Sequence, residues 1–417
     1  MIRMINKELY HHLTNVNFED LSIPSLKRKT KLEYFEAEGI RAPKFVNEFW
    51  TSKQRQNNPI HEVSYRACFK AELPRFFISL LTKEKDVVYD PFAGRGTTII
   101  EAALLNRNVI ANDINPLGTV FSKPRLFIPS NEEVEERLEK IKFKNRLKAD
   151  IDLSMFYHPD TESEIASLRN YLIRKKKNGE EDYIDEWIRM IATNRLTGHS
   201  KNFFSVYTLP PNQAVTQERQ KRINKLRKQK PEYKDVKFII LKKTQNLTSG
   251  MNKKLINQLK RIGSKAKFLN EDARFTSRIR SNSVQLTVTS PPFLDIVNYA
   301  EDNWLRCWFN NIDARKVAQS ITVTKKLDEW EKVMREVFIE LYRITKTGGY
   351  VAFEVGEIRK GKIKLDENIA PIGIKSGFEC IGVVINLQEF TKTANIWGIN
   401  NNAFGTNTNR IVLFRKA

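Results

Sequence analysis

Apolar positions along this chain fall in short clusters whose spacing changes from strand-like to helix-like. Lys85 to Asp90 reads as a short strand with an apolar end at Val87, Val88 and Tyr89. Pro91 stops it, Gly94 and Gly96 permit a tight turn, and Thr97 to Leu105 has helix-forming composition. A second apolar stretch, Asn108 to Ala111, ends in Asn112 and Asp113. Ser283 to Val288 is rich in β-branched residues and predicts another strand. Asp328 to Ile344 repeats apolar residues at helical spacing and leads into Gly348, Gly349 and the apolar run from Tyr350. Strand, glycine turn and helix together make one half of a doubly wound nucleotide-binding sheet, so the expected class is α/β.

The stretch 130–262 breaks this pattern. It is long, highly charged and mostly helical in spacing, as in Leu168 to Lys177 and Asp185 to Ile191. The expected organisation is a basic leader over 1–44, a catalytic unit over 45–129 and 263–417, and a helical insert over 130–262. The leader contains Lys27, Arg28, Lys29 and Lys31 and reads as an arm on a polyanion or a solvated surface. Within the insert, Gln217 to Lys230 is dominated by basic residues. Its Arg219, Lys221, Arg222, Lys225, Arg227 and Lys228 are candidates for phosphate contact, against the alternative of a solvated helical face. Two loops, Thr197 to Phe204 and Tyr207 to Gln213, mix hydrogen-bonding and aromatic groups suited to reading base edges.

Two short motifs carry the chemistry. Asp90-Pro91-Phe92-Ala93-Gly94-Arg95-Gly96-Thr97-Thr98 follows a strand and opens a helix. It lacks the Gly-Lys-Ser/Thr of a P-loop and the full spacing of dinucleotide folds. Asp113, at the end of the next strand, suits both hydroxyls of a ribose. The second motif, Thr289-Ser290-Pro291-Pro292-Phe293, follows its strand directly, where parallel sheets bind ligands. Two prolines fix the backbone and remove two donors, which frees nearby carbonyls as acceptors. An aromatic amino group has a delocalised lone pair and is a poor nucleophile. Accepting its hydrogens on Ser290 Oγ and the Pro291 carbonyl favours tetrahedral nitrogen and localises that pair, while Phe293 stacks on the base. Arg55, His61, Tyr65 and Arg66 precede the glycine loop and are candidates for lining the pocket. Asp302, Asn303, Trp304 and Arg306 follow the Ser-Pro-Pro turn on a predicted helix beginning near Asn298.

These motifs resemble those of DNA amino-methyltransferases, in which a DPFxGxGTT loop serves the cofactor and SPPF serves catalysis. The resemblance runs over roughly 45–120 and 265–417 and includes Gly348 to Gly356 and the tail around Asn407 to Arg410. It implies a Rossmann-like fold, S-adenosylmethionine as cofactor and a target base flipped out of duplex DNA. It further implies cofactor contacts at Asp90, Phe92, Gly94, Gly96 and Thr97, ribose contacts at Asp113, and an acid facing adenine at Asp272. Catalysis falls to Ser290, Pro291, Pro292 and Phe293. The insert takes the role of target recognition. One departure is that Asp272 follows the insert, whereas the family's third-strand acid usually precedes the recognition region.

The serine form of the motif favours the N4 amino group of cytosine over adenine N6. Ring-carbon methylation requires a cysteine nucleophile, usually after proline. Cys68, Cys307 and Cys380 follow Ala, Arg and Glu, and read as packed thiols. The alternatives are an RNA base methyltransferase and a non-catalytic DNA-binding protein on the same fold. No added RNA-binding domain is recognisable, and both motifs are intact.

Composition agrees with a polyanion partner. In 417 residues, 71 Lys and Arg against 49 Asp and Glu give a formal charge of +22 and a pI near 9.7. Scattered cysteines argue against a disulfide framework and suggest a reducing, cytoplasmic setting. No secretory stretch, membrane-length apolar run or zinc-ligand spacing is present in the sequence. Double-stranded DNA is the expected partner, with a cognate restriction endonuclease acting separately.

Overall fold

The computed structural model describes residues 7–15, 29–50, 58–65, 68–209, 214–292, 299–321, 324, 326–358, 363–387 and 408–417. The chain opens with α1 (Lys7–Thr14), the hairpin β1 (Lys31–Ala37) and β2 (Ile40–Asn47), and α2 (Glu72–Leu81). β3 (Val87–Asp90), α3 (Thr97–Leu104), β4 (Asn108–Asn112) and α4 (Leu117–Ser122) follow. Six helices then intervene: α5 (Asn131–Lys140), α6 (Pro159–Lys177), α7 (Tyr183–Arg195), α8 (Gln217–Arg227), α9 (Val236–Thr248) and α10 (Lys253–Gly263). β5 (Lys267–Leu269), β6 (Val284–Thr289), α11 (Tyr299–Phe309), α12 (Ala314–Ser320), α13 (Leu327–Ile344) and β7 (Thr345–Val355) return the chain to the sheet. The short hairpin β8 (Glu357–Ile358) and β9 (Ile363–Lys364), α14 (Leu365–Lys375), β10 (Glu379–Leu387) and β11 (Thr408–Arg415) complete it.

The large sheet runs β1-β2-β10-β11-β7-β6-β3-β4-β5. From β5 to β7 every pairing is parallel, and β11 lies antiparallel between β7 and β10. This is the expected Rossmann-like arrangement. Chain order reverses between β3 and β6, so the crevice beyond their carboxyl ends is the topological switch point where such sheets bind ligands. Both chemical motifs begin at that point.

Alternation along the strands builds two cores. In β7, Tyr350 and Ala352 face one side, while Val351, Phe353 and Val355 face the other. β11 divides in the same way, with Ile411 and Leu413 against Val412 and Phe414. The second side is covered by α13 and α14. Helix α13 buries Trp330, Met334, Val337, Phe338, Leu341 and Ile344, a stripe at helical spacing. Burial of each such side chain contributes roughly 1.5–3 kcal/mol. Among the described residues no helix is long and apolar enough to cross a membrane.

The leader differs from expectation. Residues 31–47 form two strands of the main sheet, and Leu9, Leu13, Phe35 and Phe45 are buried. The reason lies in a pattern that polar neighbours disguise: in Lys31–Ala37, Phe35 is the one buried residue, flanked by Tyr34 and Glu36. Lys31 is exposed and pairs with Glu33 at 2.7 Å; Lys27 and Arg28 lie outside the described residues. Six helices lie between Asn131 and Gly263, opened by side-chain caps from Ser130, His158, Asp182, Thr216, Asp235 and Asn252. They form an enlarged crossover between β4 and β5. Their Val134, Trp187, Ile191 and Ile240 join the same apolar cluster as Val88 and Ile100.

Candidate active site

The glycine loop is built from beneath. Gly96 caps α3 at φ +79, and a Cβ there would lie 2.5 Å from Ser122 Cβ. Its glycine is therefore required by packing against α4. Asp90 is buried under the loop, where its carboxylate accepts from Phe92 N at 3.1 Å and from Thr289 Oγ1 at 2.7 Å. Thr98 Oγ1 donates to Val288 O at 3.1 Å. These bonds join the two motifs, whose linked residues stand 199 positions apart. A buried hydrogen bond to a charged group contributes about 1.5–3 kcal/mol. Burial pushes the Asp90 carboxyl up to about 7 against the opposing effect of these donors.

Above this floor lies an open cleft. One side carries Tyr65, Phe92, Gly94, Asp113 and Asn115; another carries Glu271, Asp272 and Arg274. Ser290 and Pro292 close one end, and Ile321, Trp330, Val333, Met334 and Val337 supply an apolar wall. Asp113 accepts from Gly94 N at 2.7 Å and Asn115 N at 2.9 Å, and desolvation pushes its carboxyl up to about 6. The Arg274 guanidinium, 2.6 Å away, holds the Asp272 carboxyl below its ordinary value. Asn112 fixes the two strand ends together, exchanging hydrogen bonds with the Glu271 backbone at 2.9 Å in both directions. Glu271 Oε2 and Asn115 Nδ2 are buried polar atoms without a partner among the described residues.

Of the residues expected to touch a cofactor, Phe92, Gly94, Asp113 and Asp272 line the cleft. Asp90, Gly96 and Thr97 lie below it: Thr97 is buried and its Oγ1 accepts from Arg95 Nε at 3.1 Å. Arg95 also donates to the Val63 carbonyl at 3.0 Å and the Phe69 carbonyl at 3.3 Å, which seats Tyr65 over the loop. Tyr65 therefore lines the cleft as expected, whereas His61 does not. His61 is fully buried, 2.6 Å from Glu101, and burial lowers its pKa. Arg55 and Arg66 lie outside the described residues.

At the Ser-Pro-Pro motif, Ser290 and Pro292 line the cleft and Pro291 is buried. Phe293 lies outside the described residues. The Ser290 hydroxyl hydrogen-bonds to the carboxylate of Glu354 on β7, which also accepts from Asn409 Nδ2 at 2.8 Å. Burial raises the Glu354 pKa, and these two contacts oppose the rise. Glu354 was not singled out from sequence as a functional group. The available signal was a carboxylate between Phe353 and Val355 in an otherwise apolar strand. On the other side of the turn, the Trp330 indole donates to the Pro292 carbonyl at 3.0 Å.

Helix α11 begins one residue after Asn298, as the spacing predicts. Its polar face turns inward: Asp302, Asn303 and Arg306 are buried, and Arg306 donates to Ser64 O at 3.0 Å. That contact supports the segment bearing Tyr65. Of the thiols, Cys307 is buried and pushed up to about 11, whereas Cys68 is exposed, contrary to a packed role.

On α8 and its C-cap, Arg219, Lys221, Arg222, Lys225, Arg227 and Lys228 are all exposed. The helix is anchored by buried Gln220, which donates to Tyr207 O at 3.1 Å, and by Asn224, which donates to Met155 O at 2.7 Å. Two cations are already engaged: Arg227 stacks 3.8 Å from the Tyr207 ring centroid, and Lys221 lies 3.8 Å from Asp152. In the loop from Thr197, the residues Thr197, Phe203 and Phe204 are buried, while His199, Lys201 and Asn202 are exposed.

Residues 14–117 match the family model described as DNA methylase. The likeness is to DNA amino-methyltransferases. The type II methyltransferase M.BsoBI of Geobacillus stearothermophilus is 33% identical over 86 residues, 20% of this chain and 17% of the relative. M.HindIII of Haemophilus influenzae is 49% identical over 43 residues, 10% of this chain and 14% of the relative. The chain thus matches less than a fifth of the length of either relative. Among solved structures, TTHA0409 of Thermus thermophilus, complexed with S-adenosyl-L-methionine, is 25% identical over 35% of this chain and 53% of its own, with a TM-score of 0.21.

Proposed function

We propose that this protein is an S-adenosylmethionine-dependent DNA methyltransferase of restriction-modification type, acting on the N4 amino group of cytosine. One observation carries the reading. The glycine loop and the Ser-Pro-Pro turn are joined by the Thr289–Asp90 hydrogen bond and open onto one cleft. A nucleoside cofactor and a planar amino group would therefore meet.

The cleft fits this cofactor. Three carboxylates, Asp113, Glu271 and Asp272, line it and suit a ligand with a cationic sulfonium and ribose hydroxyls. The orphaned Glu271 Oε2 and Asn115 Nδ2 offer an acceptor and a donor for further polar groups. Asp113 would hold the ribose, Asp272 and the apolar wall would flank the adenine, and Tyr65 with Gly94 would take the amino-acid end. When bound, the cofactor supplies an electrophilic methyl group on sulfur.

The chain's own groups prepare the nucleophile. With its proton directed to Glu354, Ser290 Oγ keeps lone pairs for an amino hydrogen of the base. The Pro291 carbonyl accepts the other hydrogen, and Phe293 stacks on the ring. The base nitrogen would become cationic as it takes the methyl group, whose bond to sulfur breaks and leaves a neutral thioether. The nitrogen returns to neutrality by giving a proton to Ser290 Oγ while the serine proton passes to the Glu354 carboxylate. The surface cations of α8 would lie along the phosphate backbone.

Transfer of labelled methyl to plasmid DNA, with mass spectrometry of the nucleosides, tests the reading. N4-methylcytosine, reduced about a hundredfold or more in Ser290→Ala, is expected. N6-methyladenine would keep the mechanism and overturn the base. Methyl appearing in RNA alone would overturn the DNA assignment.

A further inference from the structure

The Ser-Pro-Pro turn is held from two directions. Ser290 is bonded to Glu354 on β7, and the Pro292 carbonyl accepts from Trp330 on α13 at 3.0 Å. Between these anchors stands Pro291, whose carbonyl is the second acceptor of the proposed reaction. Trp330 is only 2% exposed, yet its ring borders the cleft beside Val333, Met334 and Val337. These are positions i, i+3, i+4 and i+7 of one helix, so a single face provides both the apolar wall and the hydrogen bond. The same side chain therefore touches the space assigned to the cofactor and the turn assigned to the base.

We propose that Trp330 is a positioning residue that ties the geometry of the Ser-Pro-Pro turn to the cofactor wall. This rests on the methyltransferase reading. The physical argument concerns the peptide on either side of Pro292. Pro291 and Pro292 lack N–H groups, so this backbone cannot fasten itself by donating. Its orientation depends on what its carbonyls accept. Fixing the Pro292 carbonyl limits rotation of the adjoining peptide and holds the Pro291 carbonyl where an amino hydrogen can find it. A ligand pressed against the α13 wall limits movement of the indole. Cofactor occupancy thereby stiffens the turn before the base arrives.

The test separates the N–H from the ring. Trp330 is replaced by its benzothienyl analogue, which keeps the fused ring and loses only the donor, and in parallel by W330F. S-adenosylhomocysteine affinity is measured by calorimetry, and single-turnover methylation of duplex DNA gives the chemical rate. The benzothienyl analogue is expected to bind S-adenosylhomocysteine within about threefold of wild type while methylating about tenfold more slowly, the size of one lost buried hydrogen bond. W330F is expected to show the same slow chemistry together with weaker cofactor binding. In wild type, S-adenosylhomocysteine is expected to change tryptophan fluorescence, and W330F to lose most of that change. An unchanged single-turnover rate in the benzothienyl analogue overturns the proposal. An equal loss of affinity and rate in it also overturns the proposal, because the indole would then serve the wall alone. Wild-type protein run alongside keeps the two readings apart: failure of wild type to bind the analogue or methylate DNA sinks the function itself.

Discussion

Glu354, buried behind Ser290, and Asp113, which lines the cleft, are carboxyl groups raised by burial, and their expected roles differ. If Glu354 is the final proton acceptor, Glu354→Gln retains size and an acceptor oxygen but has nowhere to put the proton. The chemical rate is expected to fall about a hundredfold, the lower range for loss of a general base, with little change in melting temperature. Wild-type single-turnover rates should rise with pH as this raised carboxyl ionises, and the rise should vanish in the variant. A variant that keeps both rate and pH profile would leave Glu354 a structural residue. Asp113 bears on binding. Its carboxyl, pushed up to about 6, is protonated in the empty cleft at lower pH and then accepts hydroxyl protons less well. Cofactor affinity should therefore increase as pH rises from about 5 to 7, and Asp113→Asn should flatten that slope in calorimetric titrations with S-adenosylhomocysteine. The stability sign is opposite. Raised carboxyls such as Asp90 and Asp113 favour the empty fold fully below their unfolded value near 4. That contribution is lost as pH rises through about 6 and 7. Ligand-free protein should accordingly gain more in melting temperature from cofactor at about pH 8 than at about pH 5.

At the scale of elements, legibility followed the period of the pattern. β6 and α13 read clearly, because a run of β-branched residues and an apolar stripe with heptad-like spacing each have one structural solution. The glycine loop also read clearly as a turn, but its residues divide in a way no motif reveals. Phe92 and Gly94 face the cleft, while Gly96 answers to Ser122 and Asp90 to Thr289, partners distant in sequence. β1 was hidden because its one buried residue, Phe35, sits among more exposed positions, and β2 because Pro43, Lys44 and Asn47, though buried, interrupt its apolar residues. Glu354 was hidden for a related reason: its meaning comes from Ser290 and Asn409 across the sheet, and strand register is invisible locally. Helix α8 presents the reverse case, where sequence identified the charges and the structure leaves them at the surface. If they meet phosphates, replacing Arg219, Arg222 and Lys225 by Gln should reduce the salt dependence of DNA binding by about 0.9 in log–log slope for each phosphate no longer neutralised. Methylated sequence and cofactor affinity should stay unchanged. A slope equal to wild type across about 50–200 mM salt would assign the helix to solvent.

At the scale of the whole molecule, the insert does more than decorate the sheet. α7, α9 and α10 pack onto the side of the sheet that carries the glycine loop, and Trp187 at the centre of α7 is fully buried with its indole donating to Thr244 Oγ1 at 3.1 Å. Further links run from the insert to the segment before the loop, as when Lys243 meets Glu62 at 3.1 Å and Asn194 donates to Ser64 O at 3.3 Å. An insert attached through a shared core cannot loosen without disturbing Tyr65 and the cleft. Unfolding should therefore be a single calorimetric transition, shifted upward as a whole by S-adenosylhomocysteine. Trp187→Ala removes the largest buried side chain of the insert and should destabilise that one transition by about 3–5 kcal/mol, a cavity effect. It should also weaken cofactor binding, although Trp187 lies outside the cleft. Two transitions, with the ligand moving one and Trp187→Ala moving the other, would instead establish the insert as a separable domain and leave the cleft indifferent to it.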